Sequence, residues 1–193
     1  ERGATKYLKS SATSAEATRT DTLTSFNSNG FSLGNDSSGA LVNTSGQTYA
    51  SWTFKKKAKF FDVVTWTGNG TAGRTISHNL GTTVGCVMIK NTSNAENWMV
   101  YHIGSGIDGQ LNLNTNAAAV DESSQFNDTV PSSTVLTLGA NSEVNYNGQT
   151  YVAYLFAHDT DASSIIKCGS YTGTGSANNA VTLGWEPQWL IVK

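Results

Sequence analysis

Charge is scarce in this 193-residue sequence. Only 13% of its side chains are Asp, Glu, Lys or Arg, about half the ~25% of ordinary soluble domains. With 12 basic and 14 acidic residues and a net charge of −2, it is a poor electrostatic match for nucleic acid, and no such partner is expected. No apolar run approaches the roughly 18–20 residues of a membrane span, so none is expected. The two cysteines are too few to staple a secreted scaffold, and Cys86 and Cys168 are expected as buried free thiols. The sequence starts at Glu1 without a charged-then-apolar leader, so no signal peptide is read. In place of charge stand Ser, Thr, Asn and 19 Gly, and the 38% of residues that are hydrophobic recur in strand-like clusters, which argues against disorder. The composition points to a polar-surfaced, β-rich, extracellular domain.

Self-similarity is the most informative feature. Gly46-Gln47-Thr48-Tyr49-Ala50-Ser51-Trp52-Thr53-Phe54 returns as Gly148-Gln149-Thr150-Tyr151-Val152-Ala153-Tyr154-Leu155-Phe156, 102 positions later (46 to 148). Val42-Asn43 matches Val144-Asn145 at that spacing, and Ser32-Leu33-Gly34 matches Thr137-Leu138-Gly139 at 105 (33 to 138). A second kind of segment behaves likewise. Thr65-Trp66-Thr67-Gly68-Asn69-Gly70 returns as Ser170-Tyr171-Thr172-Gly173-Thr174-Gly175, at 105 (65 to 170). Asn79-Leu80-Gly81 with Met88-Ile89-Lys90 returns as Thr182-Leu183-Gly184 with Ile191-Val192-Lys193, at 103 (90 to 193). With the first kind called B and the second A, the chain reads B (1–57), A (60–100), B (101–158), A (164–193). The expected organisation is the C-terminal part of one unit at 1–57, a complete unit at 58–158, and the N-terminal part of the next at 159–193, as in a stretch of a longer tandem array.

Local patterns give strands at 61–67, 74–77, 84–89 and 98–102, repeated at 165–171, 181–183 and 188–192. The alternating run 49–54 and its later copy 151–156 read as strands. Each follows a Ser-Gly or Asn-Gly dipeptide, which predicts a hairpin over 143–156 with Val144-Asn145-Tyr146 as partner. Short helical turns are expected at most around Ala12–Ala17 and Ala117–Val120. Short strands with evenly spaced turn signals predict an all-β fold of antiparallel β-sandwich modules in tandem, with little helix.

The residues offer no catalytic constellation. His78, His102 and His158 lack zinc-ligand spacings, and no metal site or cofactor is expected. Gly104-Ser105-Gly106 reads as a turn rather than a nucleophile elbow. Asp121-Glu122 and the Asp159/Asp161 pair read as loop acids rather than a glycosidase carboxylate pair. The run Lys55-Lys56-Lys57 with Lys59 reads as a solvated linker, because the second linker is acidic. Three aromatics are candidate ligand contacts: Trp66 and Tyr171 ahead of the Gly-rich turns, and Trp185 before Pro187. For the first two, a place in the core competes with an exposed stacking face.

The stretch from Thr65-Trp66-Thr67-Gly68-Asn69-Gly70 through Ile76-Ser77-His78-Asn79-Leu80-Gly81 to Lys90 resembles an uncharacterised repeat domain of marine bacteriophage structural proteins. So do Gly3-Ala4-Thr5-Lys6-Tyr7-Leu8, Phe31-Ser32-Leu33-Gly34 and the Gly-Gln-Thr-Tyr segments. His78-Asn79-Leu80-Gly81 is also similar to a motif in C-terminal domains of phage tail fibres, although the later copy has Val181-Thr182-Leu183-Gly184. The resemblance implies a non-enzymatic virion component, such as a tail fibre or other appendage. It would self-associate into an oligomer or filament, contact other virion proteins and meet a host-surface glycan. A carbohydrate-binding module of an extracellular adhesin, using Trp66, Tyr171 or Trp185, is the second expectation, and a fragment of a polysaccharide-cleaving tailspike the third.

Overall fold

The structure, a computed structural model, describes residues 2–37, 39, 42–161 and 163–193. Eleven strands and one four-residue helix are formed among them: β1 (Lys6–Tyr7), β2 (Ala17–Thr18), β3 (Leu23–Asn27), β4 (Gly30–Leu33), β5 (Phe61–Thr67), β6 (Arg74–Ser77), β7 (Val84–Asn91), β8 (Trp98–His102), β9 (Gly106–Asn112), α1 (Ser123–Phe126), β10 (Val135–Leu138) and β11 (Thr150–Ala157). The chain is thus nearly all-β, and every ladder is antiparallel.

The main sheet has the order β5-β11-β7-β8-β9, and three two-stranded sheets, β1-β2, β3-β4 and β6-β10, accompany it. Within it β11 lies between β5 and β7, and it pairs on one side with β5, from Thr150 opposite Thr67 to Phe156 opposite Phe61. On the other side it pairs with β7, from Tyr151 opposite Asn91 to Phe156 opposite Cys86. Tyr151-Val152-Ala153-Tyr154-Leu155-Phe156 is apolar at nearly every position, the pattern of a strand covered on both faces. On one face Tyr151, Ala153 and Leu155 join a core with Trp66, Val87, Ile89, Met99, Tyr101, with Ile76 of β6, Leu136 and Leu138 of β10, and with Phe126 of α1. Trp66 stacks on Tyr151 at 5.5 Å between ring centroids and donates its indole N–H to Val144 O at 3.0 Å. On the opposite face the N-terminal segment lies across the sheet. There Trp98, stacked on Tyr154, donates to Lys9 O at 2.9 Å. Arg2 bonds the Tyr154 hydroxyl at 3.0 Å and pairs with Glu16, whose N–H reaches Thr92 O.

The structure corrects several local expectations. Residues 143–146 form a turn rather than a strand, so the hairpin over 143–156 does not exist. The positive φ of Gly148 (+78°) makes the turn that the dipeptide promised, but β11 finds its partners far away in sequence. Val144 and Asn145 are fully buried in that turn. Asn145 Nδ2 lies 3.0–3.1 Å from Asn69 Oδ1, Thr71 O and Gly139 O, and its Oδ1 accepts from the Asn69 N–H at 3.1 Å. Neither 12–16 nor 117–119 is helical, and the helix stands instead at Ser123–Phe126, capped by the Glu122 carboxylate accepting from the Ser124 N–H. Residues 49–54, 165–171, 181–183 and 188–192 belong to no ladder.

The two B segments nevertheless share local geometry. The Gly34 N–H donates to Thr22 O as Gly139 does to Gln125 O, and Asp36 to Asp21 O as Asn141 does to Ser124 O. Asn43 Nδ2 donates to Gly34 O as Asn145 Nδ2 does to Gly139 O. The Thr44 N–H reaches the Tyr49 hydroxyl, as the Tyr146 N–H reaches that of Tyr151, and Gly46 has the same φ of +78° as Gly148. A side chain at Gly139 would collide with the Ser124 carbonyl, and one at Gly34 with the Asp21 carbonyl, so both close approaches require glycine. In the A segments the bond from Thr71 N–H to Asn69 Oδ1 recurs from Ser176 N–H to Thr174 Oγ1.

Asp62 ties the start of β5 to the β6–β7 connection. Its buried carboxylate accepts from the Asn79 N–H (2.8 Å) and the Val63 N–H (2.8 Å) and pairs with Lys56 (2.9 Å). Burial alone would raise its pKa, but these donors outweigh it and hold the carboxyl below its ordinary value. A depressed folded-state pKa stabilises the fold above the unfolded value of about 3.9, and that contribution disappears as pH falls through the lower folded value. Urea midpoints measured from pH 6 to pH 2 are therefore expected to decline in the wild type below about pH 4, and to decline less steeply in Asp62→Asn.

Candidate functional site

The chain enters and leaves the main sheet at one end, because Phe61 at the start of β5 is paired with Phe156 near the end of β11. Aromatic rings gather there. Phe54 lies 5.5 Å from Phe61, 5.7 Å from Phe156, 6.0 Å from Phe60 and 6.2 Å from Trp189, measured between centroids. This cluster brings the segment before β5 and the segment after β11 to the same place. Each segment carries exposed apolar side chains, Trp52 in the first and Ile165, Trp189 and Leu190 in the second.

Comparison of equivalent positions shows what that exposure means. Leu190 is 73% exposed and Val192 56%, whereas their counterparts Val87 and Ile89 are fully buried. Tyr171 is 55% exposed against 8% for Trp66, and Tyr49 46% against 1% for Tyr151. Along 164–170 the side chains alternate, with 164, 166 and 168 turned inward and 165, 167 and 169 outward. The outward set is the one whose counterparts on β5, Asp62 and Val64, face the core side of the sheet. Apolar side chains of these segments thus stand in water where several of their counterparts are covered. Burying a Leu, Val or aromatic side chain contributes roughly 1.5–3 kcal/mol, so a partner that covers them would gain substantially.

The residues singled out from sequence do not form one site. Trp66 is a core residue, held by Tyr151 and Val144, and cannot serve as a stacking platform. Tyr171 is exposed. Trp185 is half-buried rather than exposed, and its indole N–H is shielded from solvent without an acceptor. Cys86 and Cys168 are free thiols; burial pushes Cys86 up to about 12 and Cys168 up to about 11, so neither is a reactive thiolate at neutral pH.

Each histidine Nδ1 accepts a backbone N–H: His78 from Leu80 (3.3 Å), His102 from Gly104 (3.1 Å) and His158 from Cys168 (3.3 Å). Burial lowers the pKa of His78 and of His102. His78 and His102 each shape a local turn, and His158 ties the end of β11 to residue 168.

Two arrangements have no signal in the sequence. Asp108, Asp121 and Asp128 converge so that their carboxylate oxygens lie within 4.8 Å of one another, all exposed. The bridge between Gln110 and Val120 brings the first two together across a turn, which spacing alone does not reveal. Exposed acids of this kind are ordinary surface features, and the trio is assigned no role. A groove of about 450 Å³ where β5 ends beside the start of β11 is lined by Thr65, Thr67, Thr92 and Thr150 with Arg2 and Glu16, and by Trp66 and Tyr151. Lys90 is also fully buried in β7, with its ammonium donating to Asn91 O at 2.8 Å and Asn94 O at 3.3 Å; burial lowers its pKa.

The whole chain, residues 1–193, matches the family described as Domain of unknown function (DUF7483), and the chain belongs to that family. No curated protein and no solved structure matches it. Among the described residues no helix is long and apolar enough to cross a membrane.

The contrast between equivalent aromatics is directly measurable. Trp66→Ala is expected to lower unfolding stability by about 3–5 kcal/mol, the usual cost of emptying an aromatic site in a core. Tyr171→Ala is expected to stay within about 0.5 kcal/mol of wild type, as exposed positions do. Denaturant unfolding followed by far-UV circular dichroism reads both, and equal losses at the two positions would contradict the difference in burial.

Proposed function

We propose that this domain is a non-enzymatic structural module of a virion appendage, such as a phage tail fibre, that associates with like modules and presents its loops at the host surface. The observation that carries this reading is the set of exposed side chains Tyr49, Tyr171, Leu190 and Val192, whose counterparts Tyr151, Trp66, Val87 and Ile89 are buried. A repeat that leaves such side chains exposed is made to be continued by a neighbour, because each unit of a stacked array covers the apolar surface of the next. The matching turns and hydrogen bonds of the two B segments support the same modular reading, as do the scarcity of charge and the abundance of Ser, Thr, Asn and Gly. Histidines engaged with backbone N–H groups support a scaffold rather than a catalyst. The partners are then like modules and other virion proteins, and the location is the virion surface.

A carbohydrate-binding role is the second reading. It is favoured by the threonine-lined groove, whose guanidinium and carboxylate are polar groups of the kind that orient a ligand, and independently by the exposed ring of Tyr171.

Antibodies raised against the purified chain and applied to intact virions decide between the two. Immunogold label along an appendage is the expected result. Absence of label from particles, together with glycan-array binding that is lost in Tyr171→Ala, contradicts the scaffold reading and favours the second.

A further inference from the structure

Two of the three histidines stand together where the chain leaves the main sheet. His102 ends β8, His158 follows β11, and the two imidazoles are close enough to act on each other electrostatically. The segment after β11 passes over this point. A side chain at Gly104 would collide with Ser170 and with the Gly169 carbonyl carbon, and one at Gly85 with the Cys168 side chain. Cys168 is held from two sides. Its N–H donates to His158 Nδ1 at 3.3 Å, and its thiol to Ala157 O at 3.6 Å. Gly104, in the turn that Ser170 rests on, donates its N–H to His102 Nδ1 at 3.1 Å.

We propose that His102 and His158 form an acid-labile latch, which holds residues 164–171 against the sheet at neutral pH and releases them when the imidazoles take up protons. The inference goes beyond the scaffold reading and does not rest on it.

The device is a competition for one lone pair. A neutral imidazole that accepts at Nδ1 carries its proton on Nε2. A second proton must sit on Nδ1, where an N–H then faces an N–H and the hydrogen bond is lost. At His158 this removes the bond to Cys168 directly. At His102 it removes the bond that shapes the turn under Ser170. Two imidazolium ions at this separation also repel each other.

The surrounding groups leave the pair to act. Burial and the neighbouring His158 both lower the pKa of His102, and no carboxylate acts on it. Opposite His102 stand Gly106 on β9 and Cys86 on β7. Cys86 and Cys168, raised to about 12 and about 11, stay uncharged in neutral and mildly acidic water. Beyond His158, Asp159 accepts from the Asp161 N–H at 3.4 Å, and Asp161 pairs with Lys59 at 2.7 Å. Because the latched state binds the His102 proton less well than the released state, the latch is strongest above the ordinary histidine value of about 6.5. It weakens as pH falls below that value towards the lower latched one. Between pH 7.5 and pH 5.5, His102 alone favours release by up to about tenfold.

Cys168 reports the latch. Labelling with a pyridyl disulfide, which reacts in mild acid, is mapped to each cysteine by peptide mass spectrometry and scaled to unfolded chain at the same pH. Cys168 is expected to label about tenfold faster at pH 5.5 than at pH 7.5, while Cys86, within β7, keeps one rate. In the double variant His102→Gln, His158→Gln the Cys168 rate is expected to be the same at both pH values. Imidazole nitrogen spectra of the wild type are expected to show the Nε2–H tautomer at both positions at pH 7.5, with the Cys168 amide shift following the titration of His158. A Cys168 rate that ignores pH overturns the proposal. So does an equal rise at Cys86, which is general acid unfolding, or an acid response that survives in the double variant. Should that variant fail to fold, a Cys168 amide indifferent to the His158 titration in the wild type overturns it on its own.

Discussion

Insertion of β11 between β5 and β7 is the constraint on which the rest of the structure depends. The two flanking strands come from one stretch of sequence and the inserted strand from another, about 60 residues further on. Neither stretch alone can satisfy its backbone. An A segment without a β11-type strand has two edges and a gap, and a B segment without A has a central strand with no neighbours. The core depends on this pairing, because Tyr151, Ala153 and Leu155 reach Trp66, Val87 and Ile89 only once the strand is in place. The same insertion sets Phe61 beside Phe156, and so brings the preceding and following segments together at one end of the sheet.

That arrangement explains why segments of nearly the same sequence have different fates. Residues 151–156 form a largely buried strand, while residues 49–54, with the same turn and the same tyrosine-to-backbone bond before them, stay outside any ladder. The difference lies in the available partners and not in local propensity. Strand formation here is a tertiary event, as it generally is for residues that favour a pleated, half-buried surface. The turns, by contrast, are local, and they persist in both copies whether or not the strands beyond them pair.

Much of the A segment was legible in the sequence for the same reason. Phe61–Thr67, Arg74–Ser77 and Val84–Asn91 alternate or run apolar between glycine turns, and strands stand there. The expected hairpin over 143–156 failed because Asn-Gly marks a turn without specifying which strand the chain then pairs with. Val144 and Asn145 are drawn into the core by Trp66 and Asn69, residues more than 70 positions away. Sequence leaves Trp66 open as either core or platform, and its stack on Tyr151 makes it core. Tyr171, at the equivalent position, is exposed only because no counterpart of Tyr151 covers it. The trio of aspartates and the threonine-lined groove had no local pattern at all, since folding assembles them from separate elements.

The account is tested most directly by cross-strand nuclear Overhauser contacts in the isotope-labelled chain. It predicts main-chain contacts from Val152 and Tyr154 to two strands at once, to Thr65 and Val63 on one side and to Lys90 and Met88 on the other. Contacts running instead from residues 150–156 to residues 143–147, as in a simple hairpin, would contradict it.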